Sequence, residues 1–174
     1  MDDANARPEF SRDATPEDLI ELCRQLNASG VRYVVIGGFA IIYHGYLRGT
    51  SDIDLLIDGS LENIKKIKQT LLYLPDQAIR EIEAHEVASY QVVRVADEIV
   101  IDLMTKACSV TYEQAAAHVE MAELNGVNIP FLKPELLIQT KDTYRPKDLA
   151  DREYLQELLK NDHGPEGKRP WWRW

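Results

Sequence analysis

The stretch VRYVVIGGFAIIYHGYLRGTSDIDLLID, Val31 to Asp58, is where the chain declares its organisation. Val31 to Ile36 is an apolar, β-branched run that stops at Gly37-Gly38. From Phe39 to about Tyr46 apolar residues recur at helical spacing. Arg48-Gly49-Thr50-Ser51 then leads into a second apolar run carrying Asp52 and Asp54. The order predicts strand, glycine turn, short helix, loop, strand. Strand side chains alternate faces, so Asp52 and Asp54 project together, their Cα atoms roughly 6.5–7 Å apart, while Ile53, Leu55 and Ile57 point into a core.

Two like charges on one strand face repel, and a divalent cation removes the repulsion. Mg²⁺ takes one or two carboxylates and completes its octahedron with water and phosphate oxygens. The glycine pair supplies a complementary feature: a backbone without Cβ atoms can approach a phosphate closely, and a helix N-terminus points N–H groups at it. Each half alone is weak. A glycine pair after a strand is most often a tight turn, and Asp-x-Asp also occurs in calcium loops and solvated turns, although no D-x-D-x-D-G loop follows here.

Together, on successive elements, the two halves resemble the nucleotidyltransferase superfamily of the polymerase-β-like fold. The closer resemblance is to its small bacterial branch, which includes antibiotic nucleotidyltransferases and abortive-infection type toxins. The matching residues are Gly37-Gly38-Phe39-Ala40, His44-Gly45 and Arg48-Gly49-Thr50-Ser51-Asp52-Ile53-Asp54-Leu55. The resemblance implies a third metal-binding carboxylate on a neighbouring strand that also serves as general base. Asp102, the acid within the apolar run IVIDLM, is the candidate; a solvent-facing strand residue is the plain alternative. It further implies a C-terminal lysine over the cleft, matched by Lys141, and an Arg/Lys-Asp-x-x-Asp pattern matched by Arg145, Lys147, Asp148 and Asp151.

The composition bounds the rest. At 174 residues, 45% hydrophobic and 28% charged, the chain fits one domain with a real core. No run reaches the length of a membrane span, and MDDANARPEF is not signal-like, which points to the cytoplasm. Cys23 and Cys108 lie far apart in apolar surroundings and read as buried thiols. A net charge of −9 disfavours a dedicated duplex-DNA binder but leaves room for a local basic groove.

Along the chain, residues 1–14 lack periodicity and read as a mobile segment. Thr15-Pro16 with Asp18 reads as a helix start, and the helix stops at Gly30. Ser60 caps a helix with the stripe Leu61, Ile64, Ile67, Leu71; its Lys65, Lys66 and Lys68 face reads as solvated. Residues 76–86 read as a polar connection, and SYQVVRV with IVIDLM as a hairpin turning near Asp97. Thr111 opens an expected helix running to Asn125-Gly126, with His118 on it. VNIPFL follows as a short run, then a helix from Pro134 ending before Pro146. The last helix shows the stripe Ala150, Tyr154, Leu155, Leu158. Residues 164–174, with all three tryptophans, read as a flexible tail, leaving 15–163 as the domain.

The expectation is therefore an α/β (α+β) fold, a small mixed sheet flanked by helices with a C-terminal helical pair. Its expected chemistry is transfer of a nucleoside monophosphate from a nucleoside triphosphate to an acceptor hydroxyl on RNA, protein or a small molecule. Asp52, Asp54 and Asp102 would hold Mg²⁺ or Mn²⁺, and Gly37, Gly38, Arg48, Ser51 and Lys141 would bind the triphosphate. A non-catalytic binding module of the same fold, and the toxin of a toxin–antitoxin pair with an antitoxin partner, are the rival readings.

Overall fold

A computed structural model describes residues 11–161. Its principal sheet has six strands: β1 (Tyr33–Ile36), β2 (Asp52–Ile57), β3 (Val93–Ala96), β4 (Val100–Met104), β7 (Val119–Leu124) and β8 (Val127–Leu132). They lie in the order β3-β4-β2-β1-β8-β7. β1 runs antiparallel to β2 and parallel to β8, and β2 runs parallel to β4, so the sheet is mixed. Two short strands, β5 (Lys106–Ala107) and β6 (Val110–Thr111), form a separate ribbon. The helices are α1 (Pro16–Ala28), α2 (Gly37–Tyr43), α3 (Leu61–Thr70), α4 (Ala84–Ser89), α5 (Tyr112–Ala116), α6 (Pro134–Leu137) and α7 (Pro146–Asn161).

The local signals act as written in several places. Thr15 accepts from the Asp18 N–H while Asp18 accepts from the Thr15 N–H at 2.8 Å, a reciprocal cap that satisfies two orphan donors of α1. Leu19, Leu22, Cys23 and Leu26 form its buried stripe. Along β2, Ile53, Leu55 and Ile57 are buried as the alternation requires, but Leu56 is buried too. The sheet is therefore covered on both faces from Leu56 onward, and the face bearing Asp52 and Asp54 opens only at the start of the strand.

Other expectations yield to the structure. The helix expected from Thr111 to Asn125 lasts only through Ala116; 119–124 is a strand paired with β8 from Val119↔Leu132 to Leu124↔Val127. Asn125 and Gly126 have φ of 49° and 74°, the paired left-handed geometry of a two-residue hairpin turn, and Asn-Gly is its preferred sequence. The helix from Pro134 is four residues long and passes into a 3₁₀ turn, Ile138–Lys141. In the first arm of the expected hairpin, α4 takes the residues up to Ser89 and only Val93–Ala96 is strand. Ala150, placed on the buried stripe of α7, is exposed, and the buried positions are Asp148, Asp151 and Leu155.

Nor are residues 11–14 loose, although they fall in the segment read as mobile. The Arg12 N–H donates to the Glu98 carbonyl at 2.9 Å, the Arg12 guanidinium grips Asp18, and Ala14 is buried. Residues 1–10 and the tryptophan-bearing tail lie outside the described residues. Cys23 is buried and Cys108 half-buried, both as free thiols. Among the described residues no helix is long and apolar enough to cross a membrane.

Candidate active site

The site is assembled by register. β1 pairs with β2 so that Ile36 faces Asp54, which sets Gly37 directly over the Asp54 carboxyl. Gly37 has φ +64°, and a Cβ there would lie 1.8 Å from Asp54 Oδ2. Conformation and contact thus both demand glycine. A Cβ at Gly38 would lie 2.2 Å from Thr50 Oγ1, and the Gly38 N–H donates to Asp54. The glycine pair is fitted first to the acidic strand and its approach loop. Its surface also lines the cleft beside them.

β2 and β4 are parallel with Asp54 opposite Asp102, so the third carboxylate stands beside the first two on the same sheet face. Asp102 is 5% exposed, which removes the alternative of a solvent-facing strand residue. β3 pairs with β4 so that Arg94 faces Asp102. Its Nε donates to Asp102 Oδ1 at 2.9 Å and its Nη2 to Oδ2 at 2.8 Å; the same Nη2 lies 3.3 Å from Asp52 Oδ2. Burial, reinforced by the charges of Asp52 and Asp102, pushes the Asp54 carboxyl up to about 7.

The facing wall comes from the C-terminal elements and the loop after α2. Lys141 ends the 3₁₀ turn; it is 8% exposed, its Nζ 3.1 Å from Asp151 and 3.4 Å from Asp148. Its ammonium is paired with two acids of α7, and the residue lines the cleft. Arg48 Nη2 donates to Asp151 Oδ2 at 2.9 Å and its Nε lies 2.8 Å from Oδ1. Asp151 has no exposed surface and ties both cations to α7. Arg145 pairs with Asp148 at 2.8 Å but stays largely in solvent. Ser51 sits at the mouth with its Oγ 3.4 Å from Asp52 Oδ1. Between the walls lies a cleft of about 610 Å³. All eight residues singled out in the sequence, from Gly37 to Lys141, line it.

His44 and His118 stand outside that lining. His44 Nε2 is 2.8 Å from the Leu132 carbonyl, its own carbonyl accepts from the Tyr154 hydroxyl, and burial lowers its pKa. It ties α2 to β8 and α7. His118 is exposed just ahead of β7, with Nδ1 2.8 Å from the Gln114 carbonyl.

No family model matches the chain, and no curated protein matches it in sequence. Among solved structures, a candidate nucleotidyltransferase from Thermotoga maritima superposes with a TM-score of 0.52 at 18% identity, covering 83% of this chain and 92% of that one. The lincosamide antibiotic adenylyltransferase LnuA, in its lincomycin-bound form, superposes with a TM-score of 0.53 at 15% identity, covering 83% of this chain and 98% of that one. The chain has the nucleotidyltransferase fold.

Within this nucleotidyltransferase fold, Arg94 is the cleft residue that the sequence reading missed. Its signal was available: a turn at Asp97 pairs Ala96 with Val100 and therefore Arg94 with Asp102. Asp97 itself is a buried acid that accepts from the N–H groups of Asp76, Ala78 and Glu98, holding the connection into β3. The donor set suits a hard cation: carboxylate oxygens stand on one face, and Asp54 is held toward its neutral form by burial and by the charges of the other two. As they stand, no three metal-binding side chains among the described residues close on a single point. Arg94 supplies the compensating charge.

Proposed function

We propose that the protein is a metal-dependent nucleotidyltransferase, moving a nucleoside monophosphate from a nucleoside triphosphate to an acceptor hydroxyl. The observation that carries the reading is the placement of Asp52, Asp54 and Asp102 on one face at the mouth of a cleft whose other wall bears Arg48, Lys141 and Arg145. Acids on one side and cations on the other suit a ligand that is a polyphosphate at one end and a reacting centre at the other.

Asp52 and Asp54, with Asp102, are the residues that would hold Mg²⁺ or Mn²⁺. Such ions, when bound, neutralise phosphate charge and stabilise the attacking and leaving oxygens of an in-line displacement. Asp102 also accepts the proton of the acceptor hydroxyl. Gly37 and Gly38 keep the backbone close to the acids and open to the phosphates, with Ser51 donating from the mouth. Arg145, paired with Asp148 but mostly exposed, reaches the triphosphate from solvent, whereas Arg48 and Lys141 contribute a positive field from the Asp151 tether.

An acceptor on a small molecule, an RNA or a protein fits this chemistry equally; LnuA, solved with lincomycin bound, is a neighbour whose acceptor is of the first kind. A cytoplasmic setting belongs to the same proposal; the toxin of a toxin–antitoxin pair is the rival reading, and an antitoxin partner is what would distinguish it. Incubation with each labelled nucleoside triphosphate, Mg²⁺ and a cell extract, read by mass spectrometry, tests it. A covalent nucleoside-monophosphate adduct that disappears in Asp54→Asn is the expected result. No adduct and no pyrophosphate release with any of the four triphosphates refutes the reading.

A further inference from the structure

Arg94 makes two parallel bonds to Asp102 and reaches Asp52 with the same Nη2, so one guanidinium spans the two acids that flank Asp54. Bidentate arginine–carboxylate pairs are strong and directional. This one is 27% exposed on its arginine side and lines the cleft, so it faces the reaction volume rather than bulk solvent. A purely structural partner for Asp102 has no need to approach Asp52 as well. A divalent cation shared by Asp52 and Asp102 would have to draw on the oxygens that Arg94 now engages. At such separations two positive groups repel strongly in a partly enclosed site.

We propose that Arg94 is a built-in counter-cation of the acidic site: it holds Asp102 and Asp52 in position without nucleotide, and yields to a divalent cation when a triphosphate is present to receive its guanidinium. The proposal rests on the nucleotidyl-transfer reading above. Arg94 is then a positioning residue whose fork passes from carboxylate to phosphate, two partners of matching geometry. Metal and nucleotide thereby bind with positive coupling, and the coupling is reciprocal. The site resists metal alone and accepts it readily with its substrate.

The test is Mn²⁺ titration of the full chain at one fixed pH, followed by the electron paramagnetic resonance of free Mn²⁺. Parent, Arg94→Met and Arg94→Lys are compared with and without a non-hydrolysable triphosphate. Without nucleotide, Arg94→Met should bind Mn²⁺ about 10-fold more tightly than the parent, with Arg94→Lys between them. Nucleotide should raise the parent's Mn²⁺ affinity far more than that of Arg94→Met. Mn²⁺ affinity that is equal or weaker in Arg94→Met overturns the role of Arg94 and leaves nucleotidyl transfer standing. No Mn²⁺ bound by any of the three, with or without nucleotide, overturns both. Should Arg94→Met fail to melt cooperatively, Arg94→Lys decides: tighter Mn²⁺ than the parent supports the proposal, and equal or weaker binding overturns it.

Discussion

Asp54→Asn offers a sharp test of how the acidic face is built. Burial and the adjacent charges of Asp52 and Asp102 raise the Asp54 carboxyl from 3.8 to about 7 in the folded chain. Between those values the folded protein binds a proton that the unfolded chain does not, so stability falls as pH rises through this window. Above pH 7 both states are ionised and the full cost is present. About three pH units correspond to a ceiling of roughly 4 kcal/mol, and because Asp54 still opens on the cleft we expect roughly 2–4 kcal/mol. Asparagine cannot ionise, yet keeps an oxygen for the Gly38 N–H. Urea unfolding in EDTA from pH 4.5 to 8.5 reads the difference directly, since groups remote from the site titrate alike in both proteins and cancel. The variant should match the parent near pH 4.5 and exceed it by that margin at pH 8.5. Parallel curves would refute the account, as would a variant less stable than the parent throughout.

Gly37→Ala must place a Cβ against Asp54 Oδ2 at a left-handed φ, and should cost roughly 2–4 kcal/mol in urea unfolding; an unchanged midpoint would show that the strand shifts freely. Asp151→Ala leaves Arg48 and Lys141 as buried cations without their shared partner, and should lower stability by roughly 3–5 kcal/mol, readable as a fall in Tm. Tyr154→Phe removes one hydrogen bond to the His44 carbonyl and should cost only about 1 kcal/mol, with transfer activity kept. Mn²⁺ together with a triphosphate should raise the parent's Tm by more than the separate shifts of each ligand combined, and additive shifts would argue against a shared site.

What the sequence determines by itself is local. The alternation of DIDLLI places Asp52 and Asp54 on one face because strand side chains repeat every two residues, whatever the strand later pairs with. The Thr15 cap is likewise legible because it is satisfied within a few residues, and the glycine pair is legible as the break between strand and helix. Asn125-Gly126 carries a hairpin-turn signature, but the run of alanines before it led the sequence reading to a helix ending there instead. Only the tertiary structure decides which strands become neighbours. That choice sets Asp102 opposite Asp54, aims Arg94 at Asp102 and Asp52, and makes glycine at 37 a requirement of the Asp54 carboxyl rather than of a turn alone. It also settles Arg48 and Lys141 on one buried acid of α7, some hundred residues from Arg48 in the chain. Charge interactions of this kind depend on distance through space and on the water excluded between the partners, and neither is written in the spacing of residues along the chain.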